Sequence, residues 1–163
     1  MRKVTILTIL ALLGGCAALG RVPPAPGDPL ATVTTKFGQP TAVYPDANGQ
    51  ELEYATGPMG QFTWMAHIGA DGRMTSFEQV LTGEKFATIK IGAATKDDVL
   101  RTVGRPAEHS RVALQDYEVW SYRYKENGVW NSMMHVHFDR NGIVRLMLNG
   151  PDPMYEERSS RRR

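Results

Sequence analysis

The apolar positions between residues 91 and 106 recur at helical spacing, and the polar residues around them mark the two ends of the helix. Three apolar side chains share one face: Val99, Leu100 and Val103. Thr95 and Asp98 have the spacing of a capping box, in which each side chain bonds the backbone N–H of the other residue. Gly104 tolerates a left-handed backbone and Pro106 prevents continuation. The stretch therefore predicts a short helix that begins after Thr95 and ends at Gly104.

A weaker copy of this pattern lies 66 residues earlier in the chain. Residues 37–40, Phe-Gly-Gln-Pro, match residues 103–106, Val-Gly-Arg-Pro, in type and order. The apolar residues before this stop signal also have helical spacing: Leu30, Val33 and Phe37. We interpret the chain as two tandem repeats, a degenerate first copy at residues 30–81 and a fuller second copy at residues 82–150.

Alternating apolar and polar residues, bounded by turn signals, predict four strands in each repeat. They are residues 41–44, 50–55, 62–68 and 74–80, then 108–113, 117–125, 132–138 and 143–148. The hairpin signals are Asp71-Gly72, Asn127-Gly128 and Asn141-Gly142. In the first repeat, alternation should direct four side chains to the core: Phe62, Trp64, Ala66 and Ile68. In the second repeat it gives one shared face to three others: Val144, Leu146 and Leu148.

The spacing between the copies also predicts where the second repeat is longer. Residues 50–54 resemble residues 116–120 at an offset of 66, whereas the last hairpins are offset by 70. We therefore place four extra residues in the Asn127-Gly128 hairpin. Together the elements predict an α+β fold: two tandem repeats of a short helix or helix pair followed by a three- to four-stranded antiparallel sheet, with the helices packed on one sheet face.

Residues 1–15 have the composition of an export signal. Arg2 and Lys3 precede an apolar run of about a dozen residues, too short to span a bilayer, which needs roughly 20. The run ends in Leu-Gly-Gly before Cys16, which resembles the bacterial lipobox cut by signal peptidase II. The resemblance implies that Cys16 becomes an N-acyl, S-diacylglycerol cysteine, bearing palmitate-type chains. An ordinary secretory signal with a stray cysteine is the alternative.

Residues 16–29 are rich in proline and glycine and predict an extended tether between the lipid and the domain. In lipoproteins, Asp after the modified cysteine favours retention in the inner membrane. Ala17 stands here, which implies transfer to the outer membrane, where the protein would lie anchored on the periplasmic face.

Charge adds little support for other partners. Without the leader the chain has 17 basic and 17 acidic residues, and only the tail at residues 151–163, which we predict to be disordered, ends in three arginines. We therefore expect no nucleic acid partner. Cys16 is the only cysteine, so no disulfide is available within the chain.

Candidate chemistry is sparse. His135 and His137 lie two apart and so share a strand face, but a zinc site normally needs three or four protein ligands, and no third is evident. No nucleophile motif and no glycine-rich phosphate loop is present. We expect no catalytic residue, no cofactor and no metal. Trp130, beside the Asn127-Gly128 turn, is predicted to be exposed and is our candidate partner-contact residue.

Four features in order resemble the SmpA/OmlA (BamE-like) outer-membrane lipoprotein family. They are the lipobox, the pattern G-x-x-T-K-x-x-V-x-x-x-x-G-x-P at residues 92–106, the aromatic strand at 117–124, and H-F-D-x-N-G at 137–142. The resemblance implies two helices on a three-stranded antiparallel sheet, and β-lactamase-inhibitor proteins resemble a tandem version. The tandem arrangement and Ala93-Ala94 before the threonine depart from the family pattern.

The family resemblance implies a non-enzymatic outer-membrane lipoprotein that acts by protein contact. Its expected role is similar to an accessory factor of β-barrel outer-membrane protein assembly or of envelope integrity. Its expected partners are outer-membrane lipid, through acylated Cys16, and envelope proteins such as barrel-assembly components. The alternative is a periplasmic inhibitor or ligand-binding module that uses the tandem sheet.

Overall fold

The computed structural model describes residues 23–160. The predicted leader, the lipidation of Cys16 and the interpretation of Ala17 lie outside the described residues. Within that range no helix is both long and apolar enough to cross a membrane.

The first repeat contains one helix and a four-stranded sheet. Helix α1 spans Leu30–Phe37, and the strands are β1 (Ala42–Asp46), β2 (Gly49–Ala55), β3 (Thr63–Gly69) and β4 (Met74–Gln79). They pair antiparallel in the order β1-β2-β3-β4.

The second repeat contains a helix pair and a second four-stranded sheet. Helices α2 (Gly83–Ala87) and α3 (Lys96–Val103) precede β5 (Glu108–Val112), β6 (Tyr117–Glu126), β7 (Trp130–Phe138) and β8 (Val144–Pro151), and α4 (Pro153–Ser160) follows. The strands pair antiparallel in the order β5-β6-β7-β8. The predicted α+β fold, with two antiparallel sheets and a few short helices, is confirmed.

The predicted ends of α3 are present. The Thr95 hydroxyl accepts from the Asp98 N–H at 3.2 Å, and the Asp98 carboxylate accepts from the Thr95 N–H at 2.8 Å. Gly104 has φ +81, and a Cβ there would lie 2.9 Å from the Thr63 side chain and 3.2 Å from that of Glu53. This position needs glycine both for its backbone angle and because the first sheet approaches closely.

Helix α3 lies between the two sheets. Val99 and Val103 are fully buried in the core of the second sheet, among Trp120, Tyr122, Tyr124 and Phe138. Leu100 contacts that core and also a small core on the first sheet, formed by Ala42, Tyr44, Met65 and Val80. Arg101 donates to the carbonyl of Pro45 in β1 at 3.1 Å. One helix therefore packs on both repeats.

The first sheet is consequently covered on both faces, which the alternation pattern did not predict. Helix α1 covers one face through Val33, which packs with Leu52, Tyr54, Ala66, Ile68 and Met74. Thr63 and Met65 point to the other face and are buried there too. Two of the predicted core residues fit less well, because Phe62 precedes β3 and is 42% exposed, and Trp64 is only half-buried, stacked on Phe77.

A β-bulge separates the side chains that were predicted to share a face in β8. Phe138 pairs with Val144, but His137 pairs with Leu146, so one residue is extra between them. Val144 is therefore in the core, whereas Leu146 and Leu148 are 39% and 48% exposed on the opposite face. The first sheet has its irregularity at the matching place, between His67 and Ile68. The bulge explains why the predicted common face is wrong.

The strand registers also correct the placement of the extra residues. Leu52 pairs with Ala66 in the first sheet, and Trp120 pairs with Val136 at the equivalent place in the second sheet. Leu52 and Trp120 are therefore offset by 68 residues rather than 66, and Ala66 and Val136 are offset by 70. The loop between paired strand ends is two residues in the first repeat, at 47–48, and four in the second, at 113–116. Two extra residues therefore lie in the β5–β6 turn, and only two lie between β6 and β7.

Part of the tail predicted to be disordered is ordered: β8 continues to Pro151, and α4 follows at Pro153–Ser160, while residues 161–163 lie outside the described residues. Asp152 is fully buried, and its carboxylate accepts from Arg123 Nη1 at 2.6 Å. The Asp152 N–H donates to the carbonyl of Asn131 at 2.9 Å. These contacts fix the start of the segment on the second sheet.

Candidate functional site: the exposed apolar end and its cleft

The turn between β6 and β7 presents two large apolar side chains to solvent. Asn127 and Gly128 both have positive φ, +50 and +72, as a tight hairpin requires. Val129 and Trp130 follow, and they are 65% and 68% exposed. The sequence prediction that Trp130 is exposed agrees with this geometry, while its role as a partner contact remains a prediction.

A loop of the first repeat lies beside this turn. Residues 56–62 connect β2 with β3, and the Gln61 amide donates to the Asn131 side-chain oxygen at 2.9 Å. Two exposed apolar side chains belong to this loop, Met59 at 62% and Phe62 at 42%. We call Met59, Phe62, Val129 and Trp130 together the exposed apolar end. Both repeats contribute to it.

A cleft of about 270 Å³ opens next to the loop. Its lining includes residues of the 56–62 loop, residues 105–107 between α3 and β5, and Tyr122 and Arg123 of β6. The cleft therefore lies where the two repeats meet, and Glu53 of β2 forms part of its wall.

Glu53 is fully buried and accepts three hydrogen bonds in this wall. The Tyr44 hydroxyl donates to its carboxyl group at 2.6 Å, the Thr41 hydroxyl at 3.0 Å and the Arg105 backbone N–H at 3.2 Å. Burial raises the pKa of Tyr44, and Glu53 raises it further, while Arg105 opposes the shift. Sequence reasoning missed Glu53, because a polar residue that alternates with Leu52 and Tyr54 has the pattern of an exposed strand position.

Tyr122 also borders the cleft, and its hydroxyl is buried with no hydrogen-bond partner among the described residues. Burial raises the pKa of Tyr122, with smaller contributions from Tyr44 and Glu53. Its aromatic ring lies in the core of the second sheet, and no sequence pattern indicated that its hydroxyl would lack a partner. A buried hydroxyl without a partner costs stability.

The two histidines form no centre of their own. His135 and His137 share the outer face of the second sheet, where His135 Nδ1 lies 2.8 Å from the Ser121 hydroxyl. Burial lowers the pKa of His137, and the neighbouring His135 lowers it further. Within residues 23–160, no group of three or more potential metal-ligating side chains is found.

One segment of the chain is similar to a known domain family. Residues 78–147 match the model of the outer membrane protein assembly factor BamE domain. No curated protein matches the chain. Among solved structures, a DUF4309 family protein (YjgB) from Bacillus subtilis subsp. subtilis str. 168 is 16% identical with a TM-score of 0.30, over 80% of this chain and 81% of that one. The segment that is similar to the BamE domain, residues 78–147, contains α2, α3 and most of the second sheet.

Proposed function

We propose that this protein is a non-enzymatic, lipid-anchored accessory factor of outer-membrane β-barrel assembly, and that it acts by protein contact. The observation that carries the proposal is the match of residues 78–147 to the BamE domain, whose family description names outer-membrane protein assembly. The lipobox-like sequence before Cys16 supports an anchor in the outer membrane.

The exposed apolar end is the surface we assign to this contact. Tryptophan is enriched among the residues that dominate binding energy, and apolar side chains clustered at one end of a domain mark interaction sites. Trp130 is 68% exposed, so removing its ring takes away contact area without opening a cavity in a core.

Crosslinking in the envelope followed by affinity recovery tests this assignment. Trp130→Ala should weaken recovery of outer-membrane protein components, because a dominant contact residue contributes about 2 kcal/mol or more, roughly a 30-fold change in Kd. Leu114→Ala is the matched control, since Leu114 is 92% exposed in the β5–β6 turn at the opposite end of β6. Equal recovery with both variants would remove the exposed apolar end from the proposal.

The anchor has a separate test. Cys16→Ala should abolish incorporation of a palmitate analogue and should release the protein from the outer-membrane fraction. A wild-type chain that takes up no label and fractionates with periplasmic proteins would refute the anchor. Recovery of only a soluble enzyme as the crosslinked partner would instead favour an inhibitor.

A further inference from the structure

One edge of β6 is paired along only half of its length. β6 runs from Tyr117 to Glu126, but the ladder with β5 ends where Glu108 pairs with Ser121. The next bond is from the Ala107 N–H to the Ser121 carbonyl at 2.8 Å. Alternate residues of an antiparallel strand direct their backbone groups to the same neighbour, so Arg123 and Lys125 direct theirs to this open side.

The first repeat closes the equivalent edge with a side chain. There the Ala55 N–H donates to the Thr41 hydroxyl at 3.1 Å. By the strand registers, Ala107 is the counterpart of Thr41 and Arg123 the counterpart of Ala55. Alanine has no hydroxyl, and no group in residues 23–160 accepts from the Arg123 N–H. The second repeat thus leaves open an edge that the first repeat caps.

The open edge borders the cleft, because Ala107, Tyr122 and Arg123 all line it. The cleft has room for about one large side chain at about 270 Å³. The unpartnered Tyr122 hydroxyl lies buried at its wall. An incoming strand would therefore meet backbone donors along the edge and an apolar recess beside them.

Two cations near the edge, Arg105 and Lys125, form no side-chain ion pair within residues 23–160, whereas Arg123 is paired with Glu108 and Asp152. The exposed Arg105 lines the cleft and makes no ion pair within the described part of the chain. Lys125 donates to the Asn131 side-chain oxygen at 2.7 Å and to no carboxylate there. A segment that carries an acidic residue beside its apolar one would complement these two cations.

We propose that the β6 edge at Arg123–Lys125 and the adjoining cleft bind an extended segment of another polypeptide, which adds as a strand and seats an apolar side chain in the cleft. Backbone bonds along the edge supply affinity, and the cleft with Arg105 supplies preference for an apolar residue flanked by an acidic one. The partner class rests on the proposed function, since an unassembled barrel protein exposes such alternating strands, but the site itself is defined by geometry.

The test uses the purified full chain in mild detergent and a fluorescent, end-blocked octapeptide that alternates leucine and threonine and carries one glutamate. Saturating peptide should slow amide hydrogen exchange of Arg123 and Lys125 at least roughly tenfold, because strand addition bonds those N–H groups. Ala107→Thr supplies the hydroxyl that the first repeat uses, and it should weaken binding by about 2- to 10-fold relative to the isosteric Ala107→Val.

Equal peptide affinity of Ala107→Thr and Ala107→Val overturns the proposal, as does binding that leaves exchange at Arg123 and Lys125 unchanged. Protection of these two amides in a dimer without peptide also overturns it, because the occupant is then a second copy of the chain. A negative result in the peptide assay would not change the result expected from envelope crosslinking. Peptide binding by a protein that crosslinks to no outer-membrane component would count against the proposed function alone.

Discussion

Replacing Glu53 with alanine should destabilise the protein more than any exposed acid of the same sheet. The substitution removes an acceptor that receives hydrogen bonds from Tyr44, Thr41 and the Arg105 N–H at 2.6, 3.0 and 3.2 Å. The Thr41 hydroxyl keeps a second acceptor, the Glu53 backbone carbonyl at 3.0 Å. The loss therefore falls mainly on Tyr44, which is 9% exposed, and on the Arg105 N–H.

The magnitude follows from those two donors. A buried donor left without an acceptor costs about 1–3 kcal/mol, and the space left by the side chain adds to this. We expect Glu53→Ala to lower the free energy of unfolding by about 3 kcal/mol. With a urea m-value of about 1–3 kcal/mol/M, the midpoint should fall by about 1–3 M. Glu53→Gln retains one acceptor oxygen and should cost about half as much.

Urea unfolding monitored by tryptophan fluorescence measures these values. Glu78→Ala is the matched control, because Glu78 lies on the same sheet with its side chain 50% exposed and pairs with Lys85 at 2.8 Å. Surface pairs contribute about 0–1 kcal/mol. Tyr44→Phe should cost less in the Glu53→Ala background than alone, since its partner is already gone. A Glu53→Ala cost no greater than that of Glu78→Ala would refute the reasoning.

Two further predictions concern the outer face of the second sheet. Asp152→Ala removes the buried partner of Arg123 and leaves Arg123 with only the half-exposed Glu108. The free energy of unfolding should therefore fall by about 3 kcal/mol, and limited proteolysis should cut the chain after β8 sooner. Unchanged digestion would contradict this. His137 has a pKa lowered by burial, so it binds a proton more readily when unfolded, and stability should decline as pH falls below its ordinary pKa near 6.5. His137→Gln should flatten that decline in denaturation curves measured from about pH 7.5 to pH 5.5, and an equally steep decline in the variant would assign it to other groups.

The sequence predicted well those elements whose signals are local. The capping box of Thr95 and Asp98, the stop at Gly104 and the Asn127-Gly128 turn depend on residues a few positions apart, and the structure contains all of them. The predicted strands agree with the observed ones to within about two residues at most ends, as is usual for element boundaries.

Features that depend on which element packs against a strand could not be predicted from local sequence signals. Alternation along β8 placed Leu146 and Leu148 with Val144, because a bulge leaves no mark in a period-two pattern. The buried side of Met65 and Glu53 depends on α3 crossing the first sheet, and no local pattern encodes that contact. The open edge of β6 depends on the strand registers, which place Ala107 where the first repeat has Thr41.

The helix that packs on both sheets has a consequence for the history of the chain. Leu100 is buried by residues of two repeats at once, so a substitution in β1 or β3 alters selection on α3 and through it on the second sheet. After a duplication, a helix packed on both sheets would couple substitutions in one copy to substitutions in the other, whereas copies without such a contact would diverge independently. Deleting the first repeat would leave one side of Leu100 facing water, and we expect single-copy descendants to have replaced it with a polar residue. Gly104 would still be needed for its positive φ.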